Sequence, residues 1–571
     1  MPRAPVAAAN GTRLSRLLPG AALAGLAMIT YANTLGHDLV WDDPISVQRW
    51  LPALPSWFSS FVPPPNIPQF PPQYYRPLQL LSYQIDRGIG GGAAWAFHLD
   101  VVLLHVLATV LVYRAGLRLF TAPAAVCAAA LFAVHPIHTE SVAWMAARPD
   151  VMVACAGLAA LLIYGRDGWS EMRRATIAAL LVLAGLLCKE NAVALIVLVP
   201  LSRLVVRPAG ERGAPLTAAA FAIAGALYLV LRRAGVYQAG FGPLLPPDGV
   251  PAIPAATGLY LRLLVLPYPQ NAYMLDPPLD LVSWVGNGLV LVAFGAIAWQ
   301  AWQRDDRAVL YALAWIALTL APSLAVLAST LTAPMAERYL YLPSVGFCWM
   351  LGAWAARASE RFGRIAYGAV AALVILGFAL SVQRNQVWRD NYSLWSDTAA
   401  KNKVDGMPRR SLAAATALRG DAPAAERLFE EALALRNSAS GQRLIYNNLG
   451  ILAVGRGDAA AAEQHYRRSI SLGPTPDALY NLGLIALQAA RDPNSGLDDA
   501  GRREKSDDAR ALFEQAAVLN PHDADVHLAL GYAAESLGEP AAARRSFEEA
   551  LRLGLPAETA AAVRRMIERL P

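Results

Sequence analysis

The sequence predicts an all-α protein: a multi-pass transmembrane helical bundle of about 11 spans, plus one re-entrant segment, followed by a C-terminal α-solenoid. Three observations predict it. Hydrophobic residues make up 56% of the 571-residue chain and charged residues only 16%, against roughly 25% charged in soluble domains. The charge is unevenly spread, because residues 401–571 carry 22 Lys and Arg with 23 Asp and Glu, whereas residues 1–400 carry only 27 and 20. The third is a pattern of small and aromatic residues that repeats about every 34 positions in the last third of the chain.

A spanning helix needs about 20 mostly apolar residues. Stretches that meet this, or come near it, are 17–36, 97–119, 122–137, 150–165, 175–189, 190–206, 214–232, 282–302, 308–328, 341–358 and 365–383. The first follows Arg3, Arg13 and Arg16 and resembles a signal peptide. No small-residue cleavage site follows it, so it is expected to stay as a membrane helix. The stretch 255–270 is short, bounded by prolines and carries Arg262, which makes a re-entrant segment the better reading. Orientation comes from the excess of Arg in inner loops. With the N-terminus inside, Arg114, Arg118, Arg166, Arg173, Arg174, Arg203, Arg207, Arg212, Arg304, Arg307, Arg357, Arg361 and Arg364 all fall on the inner face. The eleven crossings then leave the C-terminal part outside. The net charge of +6 does not point to nucleic acid, since the C-terminal part sums to −1 and the surplus lies between membrane segments. Cys127, Cys155, Cys188 and Cys348 lie within apolar runs without metal or disulfide spacing, and read as small core residues.

Beyond Trp388 the pattern becomes helical repeats. Asn448-Leu449-Gly450 returns as Asn481-Leu482-Gly483, and Leu530-Gly531 follows later. Behind them come Ala462, Tyr466, Ser469 and Pro474, then Ala509, Phe513, Ala516 and Pro521, then Ala543, Phe547 and Ala550. Leu412, Ala425, Phe429 and Ala432 form a degenerate first copy. This is the tetratricopeptide pattern, in which small residues let paired helices approach and an aromatic plugs between repeats. Domain boundaries follow: 1–390 membrane domain, 391–406 linker, 407–571 about four repeats, with 493–506 expected as an exposed inserted loop. Such arrays bind extended peptide on a concave face, so a protein partner is expected.

The predicted outer loops gather polar residues beside apolar helices, an expensive placement that signals function. His37-Asp38-Leu39-Val40-Trp41-Asp42-Asp43 puts two carboxylates at the membrane surface. They can accept a proton from an incoming hydroxyl or hold a divalent cation; a solvated turn before Pro44 is the plain alternative. Tyr74-Tyr75-Arg76-Pro77 closes this loop with a cation for a phosphate or for one of those Asp residues. His135-Pro136-Ile137-His138-Thr139-Glu140 is followed by Arg148-Pro149-Asp150, and its two His residues suit substrate contact better than a metal. Asp42, Asp43, His135 and His138 are the set to consider if there is one. Lys189 needs an anion, either Glu190 or a ligand phosphate, and Arg338-Tyr339 offers a second phosphate site unless Glu337 pairs with Arg338. No Walker A, H-E-x-x-H or G-x-S-x-G sequence occurs, which argues against an ATP-driven pump. Acids and fixed cations at one membrane face suit a lipid-phosphate donor whose chain lies in the bilayer, with an acceptor hydroxyl arriving from water.

The order Trp41-Asp42-Asp43, Tyr75-Arg76-Pro77-Leu78, His135-Pro136-Ile137-His138-Thr139-Glu140 and Lys189-Glu190 resembles the transmembrane and tetratricopeptide repeat-containing family of O-mannosyltransferases. Arg338-Tyr339-Leu340-Tyr341-Leu342-Pro343-Ser344 and Arg384-Asn385-Gln386-Val387-Trp388-Arg389-Asp390 extend the match over nearly the whole chain. The resemblance implies a class C glycosyltransferase (GT-C) fold that takes a sugar, mannose in the better-known members, from a polyprenyl-phosphate donor on the non-cytoplasmic side. It transfers that sugar to Ser or Thr hydroxyls of proteins. By the same resemblance Asp42 is the catalytic base with Asp43 in support, and Lys189 or Arg338 stabilises the departing phosphate. Arg76, His135, His138, Glu140, Arg148, Asp150, Glu190 and Tyr339 complete the expected donor site. The repeats are expected to bind the acceptor. A short array and an Ala-, Arg- and Pro-rich composition point to a bacterial inner membrane with a periplasmic site; in a eukaryote the site would face the endoplasmic reticulum lumen. A non-catalytic membrane-anchored scaffold is the alternative.

Overall fold

The computed structural model describes residues 13–54, 56–61, 74–206, 214–235, 252–275, 280–327 and 335–570. Arg3, Arg207 and Arg212, which enter the orientation argument, lie outside them. Among the described residues the regular structure is helical, with two isolated bridges, Met274 to Met335 and Asp405 to Arg436. The chain divides into two units, Met1–Asp397 and Thr398–Pro571.

In the first unit, seven described helices are long and apolar enough to cross a membrane: Leu17–Gly36, Ala94–Leu119, Met145–Tyr164, Pro215–Ala234, Leu281–Gln303, Arg307–Ala325 and Arg364–Trp388. Each matches an expected span. The expected span 122–137 is instead a bent pair, Ala122–Val134 and Pro136–Ala143, with 49° between them. Pro136 has no N–H to continue the ladder, and it forces His135 before it into an extended conformation.

Three further expected spans fall outside these seven. Glu171–Cys188 opens with Glu171, Arg173 and Arg174, and Tyr341–Phe362 ends with Arg357, Glu360 and Arg361. The stretch 190–206 is broken into a 3-10 turn, Glu190–Ala194, and the short helices Leu195–Leu201 and Arg203–Val206. Pro200 and the Ser202 hydroxyl, which donates to Val199 O, interrupt its ladder. The Ala252–Val265 helix has 14 residues. At about 1.5 Å per residue it is shorter than the ~30 Å hydrocarbon core.

Small residues let these helices approach closely, as membrane packing requires. A Cβ on Gly352 would lie 2.3 Å from Ala124 O, so Tyr341–Phe362 sits directly on Ala122–Val134. The buried indoles of Trp315 and Trp349 donate to Leu342 O and Val112 O at 2.9 and 3.1 Å, satisfying their N–H groups. The four cysteines are free and buried, as their apolar settings predict. Asn385 Nδ2 donates to Asn33 Oδ1 and Thr30 O at 2.8 and 3.0 Å, and bolts the last span to the first.

The stretch 391–406, expected as a linker, carries the helix Asn391–Lys401. Asp390 caps it by accepting Ser393 N–H at 2.8 Å, and its Leu394 and Trp395 are buried.

The second unit is a run of antiparallel helix pairs from Gly406–Leu418 to Pro540–Leu553, closed by Ala557–Arg569. Asp421, Ser438, Asp458, Thr475 and Asp498 each cap a helix start through the side chain. Phe429, Tyr466, Phe513 and Phe547 are all buried. Gly450, Gly483 and Gly531 are where Tyr466, Phe513 and Phe547 press, each ring within 2.5 Å of the site a Cβ would take. The expected 493–506 loop is shorter than predicted. A helix begins at Asp499, because Asp498 caps it and the residues after it favour helix.

Candidate functional site

After the first span the chain turns at Trp41, whose φ of 59° lies in the left-handed region that β-carbon residues rarely adopt. Trp41 stacks on Trp144 with centroids 4.8 Å apart and planes 13° apart. Asp42 is half-buried and Asp43 fully buried. Asp43 Oδ1 accepts the Ala146 N–H at 3.1 Å, while Asp43 Oδ2 and Asp42 Oδ1 are buried oxygens with no hydrogen-bond partner. Burial pushes the Asp42 carboxyl above its ordinary range, and the Arg338 charge partly offsets this. Asp43 is pushed up much further, by burial and by Asp42 beside it. Adjacent buried carboxylates resist double ionisation, and of the two Asp43 is the more strongly held toward its protonated form.

Beside this turn lies a set of cations, each held by a carboxylate. Lys189 sits in the break between two helices and puts Nζ 2.6 Å from Asp150 Oδ2, while Asn191 donates to Asp150 Oδ1 at 3.0 Å. Arg338 is bound twice by the fully buried Glu140, through its backbone N–H at 3.0 Å and through its guanidinium. Its guanidinium lies 5.2 Å over Trp144 and 5.0 Å over Tyr339, and Lys189 Nζ lies 5.0 Å from the same Tyr339 ring. Arg76 donates to Glu190 Oε2 through Nε and Nη2 at 3.2 and 2.9 Å and lies 4.3 Å over Tyr74. Arg232 reaches the other oxygen of Glu190 at 3.3 Å. Burial lowers the Lys189 pKa to about 8; Asp150 works against the drop, and the charges of Arg76 and Arg338 add to it. Arg76, Lys189 and Arg338 therefore feel one another, and all three keep part of the side chain exposed. Four cations, Arg76, Lys189, Arg232 and Arg338, thus share three carboxylates, which leaves the cluster with the charge to attract an anion such as a phosphate.

Arg76, Glu140, Asp150, Lys189, Glu190, Arg338 and Tyr339 thus lie together, and Asp42, with Asp43 beside it, joins them through Arg338. Arg148 does not. It is fully enclosed, with Nη1 2.5 Å from Asp86 and 3.0 Å from Asp100, and it also donates to Ser82 Oγ and Phe97 O at 2.9 Å each. Both terminal nitrogens meet protein groups, Nε–H alone has no partner, and the enclosed guanidinium ties helices together rather than facing a donor. His135 spends both ring nitrogens on the backbone, at Leu264 O (3.0 Å) and Ile137 N–H (3.3 Å). His138 bonds Ser344 Oγ at 2.7 Å and packs on Phe132 and Tyr341. Both His residues brace the bent pair. Among the described residues no three His, Cys, Asp or Glu side chains gather as metal ligands, so Asp42, Asp43, His135 and His138 do not form one set. Glu337 does not pair with Arg338; it accepts from Gln270 Nε2 at 3.1 Å and from the Asn271 N–H instead.

Sequence reasoning missed Trp144, Asn191 and Arg232. Only Arg232 left a signal: with Arg233 it puts two arginines at the predicted outer end of a span, against the charge rule.

Tetratricopeptide repeat models match residues 407–474 and 497–558. Protein O-mannosyl-transferase Tmtc2 of Drosophila melanogaster is 40% identical over 183 residues, 29% of this chain and 20% of that protein. Tmtc1 of the same fly is 32% identical over 265 residues, 44% and 29%. Human protein O-mannosyl-transferase TMTC3 is 22% identical over 595 aligned positions, 93% of this chain and 64% of the relative. The chain therefore spans from a fifth to under two thirds of these relatives. Among solved structures, the Archaeoglobus fulgidus oligosaccharyltransferase aligns over 75% of this chain and 60% of its own, with 16% identity and a TM-score of 0.41. The chain is a membrane protein with tetratricopeptide repeats, and a homologue of the transmembrane and tetratricopeptide repeat-containing protein O-mannosyl-transferases.

Proposed function

We propose that the protein is a GT-C membrane glycosyltransferase that moves a sugar, mannose by the names of its relatives, from a polyprenyl-phosphate donor to protein Ser or Thr hydroxyls. The observation that carries this reading is one arrangement: the Asp42 carboxylate feels the charge of Arg338, and Arg338 in turn stands with Lys189 and Arg76 in one cation cluster. Asp42 takes the proton of the acceptor hydroxyl as its oxygen attacks the anomeric carbon. The bond from that carbon to the phosphate oxygen breaks, and the charge that grows on the phosphate is met by Lys189, Arg338 and Arg76. Direct displacement of this kind inverts the anomeric configuration. Asp150, Glu140 and Glu190 hold the three cations in place before the donor arrives. The prenyl chain lies among the spans, the reaction takes place at the non-cytoplasmic face, and the repeats bind the acceptor polypeptide.

The test is a transfer assay with purified protein in detergent, a panel of polyprenyl-phosphate sugars and a Ser/Thr-rich protein extract. Label should pass to protein with the native chain and fail to pass with Asp42→Asn. Equal transfer by the variant sinks the base assignment. No transfer from any donor, with partner binding by the repeats intact, makes the protein a membrane-anchored scaffold.

A further inference from the structure

The segment Arg384–Asp390, prominent in the sequence, has no part in the chemistry above. It nonetheless runs against the Asp42 turn. Arg389 O accepts the Asp38 N–H at 2.9 Å, and Asn391 Oδ1 accepts the Trp41 N–H at 2.8 Å. Trp395 meets Trp41 edge-on with centroids 5.0 Å apart, and the fully buried Trp388 stacks on Trp144 at 5.8 Å, behind the Trp41–Trp144 pair. The segment itself is anchored: Asn385 is bonded to the first span, and Arg384 Nη1 lies 2.6 Å from Asp397.

The bond from Asn391 falls on the residue that needs it. Trp41 holds a left-handed backbone conformation with a bulky side chain, a strained state that persists only where the surroundings enforce it. A side-chain acceptor fixed on the next helix, aimed at that residue's own N–H, enforces it. Asp42 follows directly in the chain, so the direction of its carboxylate is set by this turn.

We propose that Asn391 is a positioning residue for the reaction, holding the Trp41 turn that aims Asp42. The proposal rests on the transferase reading for its catalytic consequence, but not for the positioning itself.

The experiment compares native protein with Asn391→Ala, Asn391→Leu and Asn391→Asp in three measurements. Hydrogen exchange of the peptide covering residues 38–43 reads the turn without any need for activity. Losing one hydrogen bond should speed exchange about tenfold in the Ala and Leu variants, and Asp, which keeps an acceptor oxygen there, should restore protection. Binding of farnesyl phosphate reads the cation cluster, which Asn391 does not touch, and should be unchanged in all three. Transfer kinetics should show kcat falling on the order of 10- to 100-fold in Ala and Leu with KM for the donor unchanged, and recovery in Asp. Unchanged exchange in the Ala variant overturns the proposal. So does loss of farnesyl phosphate binding in step with kcat, which would mean a general loss of fold. If the native protein transfers nothing, the transferase reading fails while the exchange result still decides whether Asn391 holds the turn.

Discussion

Arg148 offers the sharpest test of how the bundle is held together, because its surroundings make opposite predictions for one substitution and for three. Its guanidinium is fully buried, 2.5 Å from Asp86 and 3.0 Å from Asp100, with further bonds to Ser82 and Phe97 O. Arg148→Met removes the cation and leaves two carboxylates facing each other with no counter-charge. Breaking a buried pair from one side costs about 3–5 kcal/mol, most of it the penalty of the charge left behind. Removing the whole set, Arg148→Met with Asp86→Asn and Asp100→Asn, leaves no uncompensated charge and should restore stability to within about 1 kcal/mol of native. The four buried free cysteines make the assay simple: a thiol-reactive dye in detergent reports when the bundle opens on heating. The single variant should open at clearly lower temperature, and the triple variant near the native one. A single variant as stable as native, or a triple variant as unstable as the single, refutes the account of Arg148 as a buried strut. The triple variant also settles the role first expected for Arg148. It should still bind a prenyl phosphate, which Lys189→Met should not, and loss of binding at native stability would return Arg148 to the donor site.

Three further outcomes follow from the site and the repeats. Transfer should rise with pH through an ionisation above the ordinary carboxylate range, because Asp42 is raised by burial and works as the anion. Arg338→Gln should move that limb to higher pH, since Arg338 is what lowers it, and a limb that stays or moves down counts against their proximity. Prenyl phosphate binding should weaken as pH rises through about 8, where Lys189 loses its proton. Asp150→Asn should shift this loss to lower pH, because Asp150 stabilises the charged form; titration by fluorescence across pH 6–10, roughly two units either side, reads it. In the repeats, Gly531→Ala places a methyl where the Phe547 ring lies and should destabilise by about 1–3 kcal/mol, seen as faster proteolysis within 524–571 of the full chain. Adding Phe547→Leu should recover part of that loss.

What the sequence makes legible here is whatever repeats along it. Runs of about 20 apolar residues mark seven of the helices, and the alternation of small and aromatic residues marks the array down to Phe547 over Gly531. The breaks are harder to read, because a single Pro136 or Ser202 that ends a ladder leaves the hydropathy of the run almost unchanged. The site divides along the same line. Trp41-Asp42-Asp43 and the cations Arg76, Lys189 and Arg338 stand out as charges beside apolar runs, and they do converge.

Their partners do not stand out, and for a geometric reason. Among the residues singled out for the site, three sets of opposite charges stand next to or near each other in the sequence: Arg148 and Asp150, Lys189 and Glu190, Glu337 and Arg338. In none of the three do the neighbours pair. Positions one or two apart on a helical turn point away from each other, so each member of a pair reaches a different wall of the bundle. Arg148 turns to Asp86 and Asp100 while Asp150 turns to Lys189; Glu190 turns to Arg76 and Arg232; Arg338 turns to Glu140. Each doublet therefore joins two different parts of the fold, and together with Glu140 they hold Arg76, Lys189 and Arg338 in one cluster. Arg148 is the member whose two carboxylates close it off entirely, which is why proximity to Asp150 in the sequence suggests a donor contact that the packing does not provide.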